Sequence, residues 1–306
     1  MNAALQPSTR QDRLHSDETP EVEEKRKRMD RHQQKSAYRF KTNRIRDSWA
    51  KGGTPIGTFI FSHDAAVVET VGRAGFDFAL IDMEHTSLEM RDVEAHIRAA
   101  AAVDIAALVR VPNIDGVVIG RVLDSGADGI VFPHFGRDRE ASRLFAENLR
   151  YAPNGHRPSC TGVRSAGYGL APFAEYVRHA DASVLGIGLI EDVEVIPHLD
   201  AIFAGSRIDA IMPGPGDLAT ALGLHGQPTH PRVRAAIDEI VRAARRAGLR
   251  CGMYLNSVEE AHEWVASGAD FLIYLMDSKV LALAYTAAAC SLHRSIGAAT
   301  TATTTA

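Results

Sequence analysis

The chain of 306 residues contains only three cysteines, Cys160, Cys251 and Cys290, far apart and odd in number. With no C-x-x-C pair and no histidine at zinc-finger spacing, neither a disulfide framework nor a structural zinc site is expected. Long apolar runs are also missing, so no segment is expected to span a membrane, and the N-terminus lacks the apolar core of a secretory signal. The acids Asp17, Glu18, Glu21, Glu23 and Glu24 argue against a mitochondrial transit peptide, which leaves the cytoplasm as the expected location. Neither G-x-G-x-x-G nor a Walker phrase occurs, which removes support for an open nucleotide-binding sheet. Beyond residue 50 the only lysines are Lys51 and Lys279, and neither ends an interior strand, so a Schiff-base nucleophile is not expected.

What is present is unevenly placed. Residues 1–50 hold 12 Lys/Arg against 8 Asp/Glu, while the remainder holds 22 against 30. The acidic body is the wrong charge for general nucleic-acid binding, and any polyanion contact would belong to the basic head. That head is dominated by Gln, Ser, Arg, Lys and Glu and has too little apolar surface to offset ordering. Residues 1–49 are therefore expected to be a disordered charged extension. The Ala/Thr-rich residues 297–306 are expected to be a loose low-complexity tail. One body, residues 50–296, remains between them.

Within the body, eight short apolar runs alternate with segments of helical period. They span 56–61, 78–82, 106–111, 129–133, 185–190, 209–213, 251–255 and 271–275. Most are continuously apolar, as strands covered on both faces of a parallel sheet are. A helix is expected over 88–102, opened by Thr86-Ser87-Leu88-Glu89 in capping-box spacing, and another over 231–247 with Pro231 at its start. Three joints repeat one phrase: Ala74-Gly75-Phe76-Asp77, Ser125-Gly126-Ala127-Asp128 and Ser267-Gly268-Ala269-Asp270. Each Gly suits the left-handed end of a helix and each Asp suits the turn into the next strand. Eight βα units in a body of this size predict an α/β fold, the closed (β/α)8 TIM barrel.

In such a barrel the chemistry gathers at the C-terminal strand ends. The polar residues there are Asp82, Glu84 and His85, then Arg110, then Glu191, then the Pro213-Gly214-Pro215-Gly216-Asp217 loop. Glu191 and Asp217 are hard oxygen donors suited to Mg²⁺ or Mn²⁺, although each acid could equally cap a following helix. Arg110 can grip a carboxylate or an enolate oxygen, or pair with Asp82 or Glu84. His85 is a candidate general base, oriented by Asp82 or another carboxylate.

The phrases AGFDFALIDMEH, LVRVPN, VLDSGADGIVFPH, LRYAPNGHR, LIE and PGPGDLATALG, in this order, resemble the class II, metal-dependent pyruvate aldolases of the HpcH/HpaI family over about residues 50–295. The resemblance implies a phosphoenolpyruvate/pyruvate-type barrel that assembles as a hexamer of dimers, with 278–296 as an exchanged C-terminal helix. It implies Glu191 and Asp217 as ligands of a divalent ion, Mg²⁺ or Mn²⁺ with Co²⁺ admissible, and the amides of Gly216 and Asp217 as receivers of the pyruvate carboxylate. Arg110 would stabilise the enolate, and His85, paired with Asp82, would help move the proton of the substrate's 4-hydroxyl. Asp124 would reach the neighbouring subunit's site. The sequence departs from the family at Leu189, commonly Gln at that substrate-facing position, at Pro158 and at Met83. These departures bear on pocket polarity and acceptor preference.

The implied activity is reversible retro-aldol cleavage of 4-hydroxy-2-oxo acids to pyruvate and an aldehyde. Beside it stand oxaloacetate decarboxylation or enolate condensation in secondary-metabolite or siderophore synthesis, and, in another class, a barrel without catalysis serving as a scaffold.

Overall fold

A computed structural model describes residues 39–304, with side chains to residue 296, and the isolated Glu24. The rest of the 1–49 extension and residues 305–306 lie outside it. The unit Met1–Phe40 falls almost wholly outside the described residues, and Lys41–Ala306 forms one compact unit.

After helix α1 (Arg44–Ala50), strands and helices alternate: β1 (Ile56–Ile60), α2 (Ala66–Arg73), β2 (Phe78–Asp82), α3 (Met90–Ala102), β3 (Ala106–Arg110), α4 (Gly116–Asp124), β4 (Gly129–Phe132) and α5 (Arg139–Asn148). A kinked 3₁₀ segment (Arg164–Gly169) precedes α6 (Phe173–Ser183), β5 (Leu185–Ile190), a second 3₁₀ turn (Val193–His198) and α7 (Leu199–Phe203). Then follow β6 (Ala210–Pro213), α8 (Pro215–Ala221), α9 (Pro231–Arg246), β7 (Arg250–Leu255), α10 (Glu260–Ser267), β8 (Phe271–Met276) and α11 (Asp277–Thr304). The eight strands pair in sequence order, all parallel, and close β8 onto β1. The expected TIM barrel is therefore the observed fold, with every predicted apolar run supplying a strand.

Alternation along each strand divides the core into two layers. Phe78 and Leu80 of β2, Ala106 and Leu108 of β3, and Leu185, Ile187 and Leu189 of β5 fill the barrel interior. Their neighbours Ala79, Ile81, Ala107, Val109 and Ile190 pack against the outer helices. Gly57 and Gly252 make room inside for the rings of Phe78 and Phe271, which an added Cβ would approach to 2.2 and 2.1 Å.

The repeated Gly-x-Asp joints have a physical job at the base. Gly75, Gly126 and Gly268 have φ of 97°, 98° and 100°, the left-handed geometry that glycine tolerates. The aspartates before β2, β4, β6 and β8 each clamp the preceding strand twice. The amides of Asp77, Asp128, Asp209 and Asp270 donate to Ile56, Ala107, Gly186 and Cys251. Their carboxylates accept from those same four residues at 2.8, 2.8, 2.9 and 2.9 Å.

Two local readings shift. The capping box of α3 is Glu89 with Asp92, and the helix starts at Met90 rather than Leu88. Thr86 is engaged elsewhere: its hydroxyl donates to the Asp82 carbonyl and accepts from the Leu88 amide. The C-terminal helix, expected to end at Ile296, continues along the backbone to Thr304. Among the described residues no helix is long and apolar enough to cross a membrane.

Helix α1 lies inside the span read as an extension and stoppers the base. Its cap, Asn43, accepts from the amides of Ile45 and Arg46 and donates to the carbonyls of Asp128 and Ser183, both at 2.9 Å. Ile45 joins the interior cluster and the Trp49 indole donates to the Asp270 carbonyl. Because Asn43 is buried, Asn43→Ala removes a cap and two side-chain hydrogen bonds to the part-buried carbonyls of Asp128 and Ser183, which keep the Leu185 amide and Arg46 Nε as their other donors. A loss of about 2–4 kcal/mol, read as a lowered denaturant midpoint at unchanged m-value, is the expected result.

Candidate active site

The inward alternation of three strands runs on past the apolar core into charge. Phe78 and Leu80 are followed at the same parity by Asp82, Ala106 and Leu108 by Arg110, and Leu185, Ile187 and Leu189 by Glu191. These side chains reach the mouth because the strand period is two. Asp82 and Arg110 also stand opposite each other in the β2–β3 register.

Arg110 grips Asp82 in a fork, Nε to Oδ1 at 2.8 Å and Nη2 to Oδ2 at 2.7 Å, and its guanidinium lies 4.9 Å from the Phe59 ring centroid. Burial disfavours its charge, but the hydrogen bonds and charge of Asp82, with Glu84 and Glu191, raise its pKa. The Asp82 oxygens also accept from the amides of Glu84 and His85, at 3.0 and 3.4 Å. Asp82 therefore orients Arg110 and the turn backbone. The acid nearest the exposed His85 ring is Glu84, with Oε2 at 3.8 Å from Nε2. The expected pairing of Asp82 with the His85 imidazole is not the contact observed: the ring stands beside Glu84, while the Asp82 oxygens face the guanidinium and the two turn amides.

Glu84 comes into the site as a further acid. Its Oε2 lies 3.1 Å from Arg110 Nη1, yet this buried oxygen has no aligned hydrogen-bond donor. Burial raises its pKa, outweighing the pull of Arg110 and His85.

Glu191 is 5% exposed, and Oε1 accepts the backbone N–H of His134 at 2.8 Å. The His134 ring nitrogen Nδ1 is 3.0 Å from Asp192 Oδ2. On the other side, a Cβ at Gly214 would stand 2.8 Å from Glu191 Cβ and 3.1 Å from Oε2. Only glycine lets the β6 turn approach this carboxylate. Asp217, in the first turn of α8, is close enough to raise the Glu191 pKa. The Gly216 and Asp217 amides precede the first α8 bond, from Leu218 to the Gly214 carbonyl, so the helix itself does not use them.

Leu189 sits one inward step below Glu191, 3% exposed, as an apolar floor. Asp124 ends α4, which runs back toward the base, so it lies at the end of the barrel opposite His85. It accepts from the buried Arg157 at 2.9 Å. Sequence reasoning passed over His134 and Asp192, although both follow strand ends as the other polar residues do.

Among the described residues no group of three or more His, Cys, Asp and Glu is arranged to cage a metal. The acid pair still fits a hard divalent cation. Burial, reinforced by Asp217 and Glu84, pushes Glu191 up to about 7 against the opposing His134 hydrogen bond. The nearby His134 ring and Arg110 do not offset this burial, and two hard oxygen donors leave positions for water or substrate oxygens.

Residues 55–284 match the family model for HpcH/HpaI aldolase/citrate lyase. The chain is 33% identical over 243 residues to the hydroxypyruvate/pyruvate aldolase of Paraburkholderia phytofirmans, covering 77% of this chain and 92% of that one. It is 34% identical over 241 residues to the 4-hydroxy-2-oxovalerate aldolase of Rhodococcus jostii, covering 78% and 92%. The crystal structure of an HpcH/HpaI aldolase from Desulfitobacterium hafniense superposes with a TM-score of 0.77 at 26% identity, covering 83% of this chain and 97% of that one.

The raised Glu191 carboxyl fixes a sign. A folded pKa above the unfolded one favours the protonated fold, so this group's contribution is present below about 4.5 and lost as pH rises through about 7. A divalent ion should therefore stabilise the protein more at pH 8 than at pH 5. Thermal melts with and without Mn²⁺ measure this, and the pH effect should disappear in Glu191→Gln.

Proposed function

Because the chain belongs to the HpcH/HpaI aldolase/citrate lyase family, we propose that it is a carbon–carbon lyase that reversibly cleaves 4-hydroxy-2-oxo acids to pyruvate and an aldehyde. The carrying observation is one mouth that gathers the desolvated Glu191, the adjacent Asp217 and the Arg110–Asp82 fork. The Glu191 and Asp217 carboxylates would hold Mg²⁺ or Mn²⁺, which supplies Lewis-acid polarisation of the 2-oxo group.

Cleavage breaks C3–C4. Its electron pair passes to C3 and the 2-oxo oxygen, the 4-hydroxyl loses its proton as the aldehyde forms, and C3 then gains a proton to give pyruvate. Arg110, whose Nε and Nη2 are committed to Asp82, presents the Nη1 edge to the mouth and balances the developing negative oxygen. The amides of Gly216 and Asp217 receive the substrate carboxylate, and the exposed His85 helps carry the 4-hydroxyl proton. Leu189 borders the substrate with an apolar surface. Lys51, at the end of α1, and Lys279, in the first turn of α11, are both exposed and neither lies on an interior strand.

The working form we propose is a homo-oligomer, a hexamer by family likeness, in which Asp124 serves a neighbouring copy's mouth. Helix α11 supports this, since Leu281, Leu283, Tyr285 and Leu292 are 46%, 53%, 72% and 63% exposed, an apolar surface that association would cover. Leu283→Glu with Leu292→Glu should lower the mass measured by light scattering.

Pyruvate release from a 4-hydroxy-2-oxo acid with Mn²⁺ tests the activity, with carbon dioxide release from oxaloacetate as the competing readout. Arg110→Lys loses the bidentate fork and should lower kcat by about 10²–10³. Carbon dioxide release without any aldol cleavage would move the assignment to the decarboxylating reading.

A further inference from the structure

We propose that His134 is a positioning residue that fixes which oxygen of Glu191 faces the metal site, an inference that rests on the metal-dependent reading above. His134 follows β4 with φ of 50°, a left-handed conformation uncommon for a residue with a Cβ. A backbone held there needs compensating contacts, and three ties to the end of β5 are in place. The His134 amide donates to Glu191 Oε1 at 2.8 Å. Its Nδ1 is 3.0 Å from Asp192 Oδ2, in the tautomer that donates to this carboxylate. The following amide, of Phe135, donates to the Leu189 carbonyl at 2.9 Å.

The segment is anchored beyond these ties. Phe135 is 1% exposed and packs edge-on against Phe132 and Phe145. The Gly136 amide donates to Ser142 Oγ at 2.9 Å. The β4–α5 turn is thus strapped across the top of β5 at alternate points of its backbone and carboxylates.

The consequence is an oriented carboxylate. Oε1 of Glu191 is occupied from the β4 side by a main-chain donor, while Oε2 is the oxygen nearest the Gly214 position, in the β6 turn that leads to Asp217. Glycine at 134 would adopt the same φ without cost and keep the N–H. The imidazole therefore adds something glycine lacks, the tether to Asp192 that holds the turn, and with it the amide, against Glu191, with the same Nδ1 3.4 Å from Glu191 Oε1. Hydrogen bonds of this outer kind commonly carry a tenfold to hundredfold effect on metal affinity.

The experiment titrates Mn²⁺ into the full-length, metal-stripped protein without substrate, following the dissociation constant by calorimetry. His134→Gly keeps the backbone geometry and removes the tether, and should weaken Mn²⁺ about tenfold at an unchanged melting temperature of the metal-free protein. His134→Asn, which tolerates the left-handed backbone and offers an amide donor to Asp192, should stay within about twofold of wild type. Asp192→Ala should reproduce the loss, and the double variant His134→Gly/Asp192→Ala should lose no more than either single change. Wild-type affinity in His134→Gly, or losses that add in the double variant, would overturn the proposal. A wild-type chain that takes up no Mn²⁺ would overturn the metal-dependent reading as well, and so is told apart from failure of the positioning role alone.

Discussion

The mouth of this barrel is organised around one buried ion pair. Asp82 and Arg110 are side by side in the sheet register, 0% and 7% exposed at the side chain, and linked by two parallel hydrogen bonds. Removing one partner of such a pair strands the other charge in a poor solvent and costs about 3–5 kcal/mol. Here the pair also carries local structure. The same Asp82 oxygens hold the amides of Glu84 and His85, so the turn that presents the histidine takes its shape from the carboxylate that fixes the arginine. One guanidinium cannot neutralise four acids, and the surplus appears at Glu191, where burial and the neighbouring acids favour the proton.

Much of this was legible from residue order. The strand runs were visible because a sheet covered on both faces needs continuous apolar sequence, and the polar residues after them marked the mouth. Side-chain pairing was less visible. Asp82 lies three residues before His85 and twenty-eight before Arg110, yet the register makes Arg110 its partner. His134 carried no signal beyond a polar residue after a strand, because its role depends on a left-handed backbone that no composition reveals. Helix α1 was hidden by its own chemistry: Ile45 and Trp49 are its few apolar anchors in an otherwise polar stretch, and its stability comes from tertiary contacts, with Asn43 bonded to both neighbouring turns. Asp209 escaped the repeat because its joint, Ser206-Arg207-Ile208-Asp209, has no glycine at the matching place, the positive φ falling on Gly205 and Arg207 instead.

Leu189 links the departures in sequence to the electrostatics. It occupies the inward position directly below Glu191, and its apolar side chain offers the carboxylate no hydrogen bond from beneath. The burial that raises the Glu191 pKa therefore includes this floor, and the main-chain N–H of His134 becomes a principal polar support for an otherwise desolvated acid.

The aspartate clamps at the base act at a distance from any chemistry. Asp77, Asp128, Asp209 and Asp270 recur at every second strand, and each fixes its neighbour by both an amide and a carboxylate. They work as registration pins. A slip of one residue along β2, β3 or β5 would exchange inside for outside along the whole strand, turning Asp82, Arg110 or Glu191 away from the mouth into the layer of outer helices. The alignment of the reactive end is thus set at the opposite end of the barrel, so a change at one of these pins could disable the site without touching any residue in it.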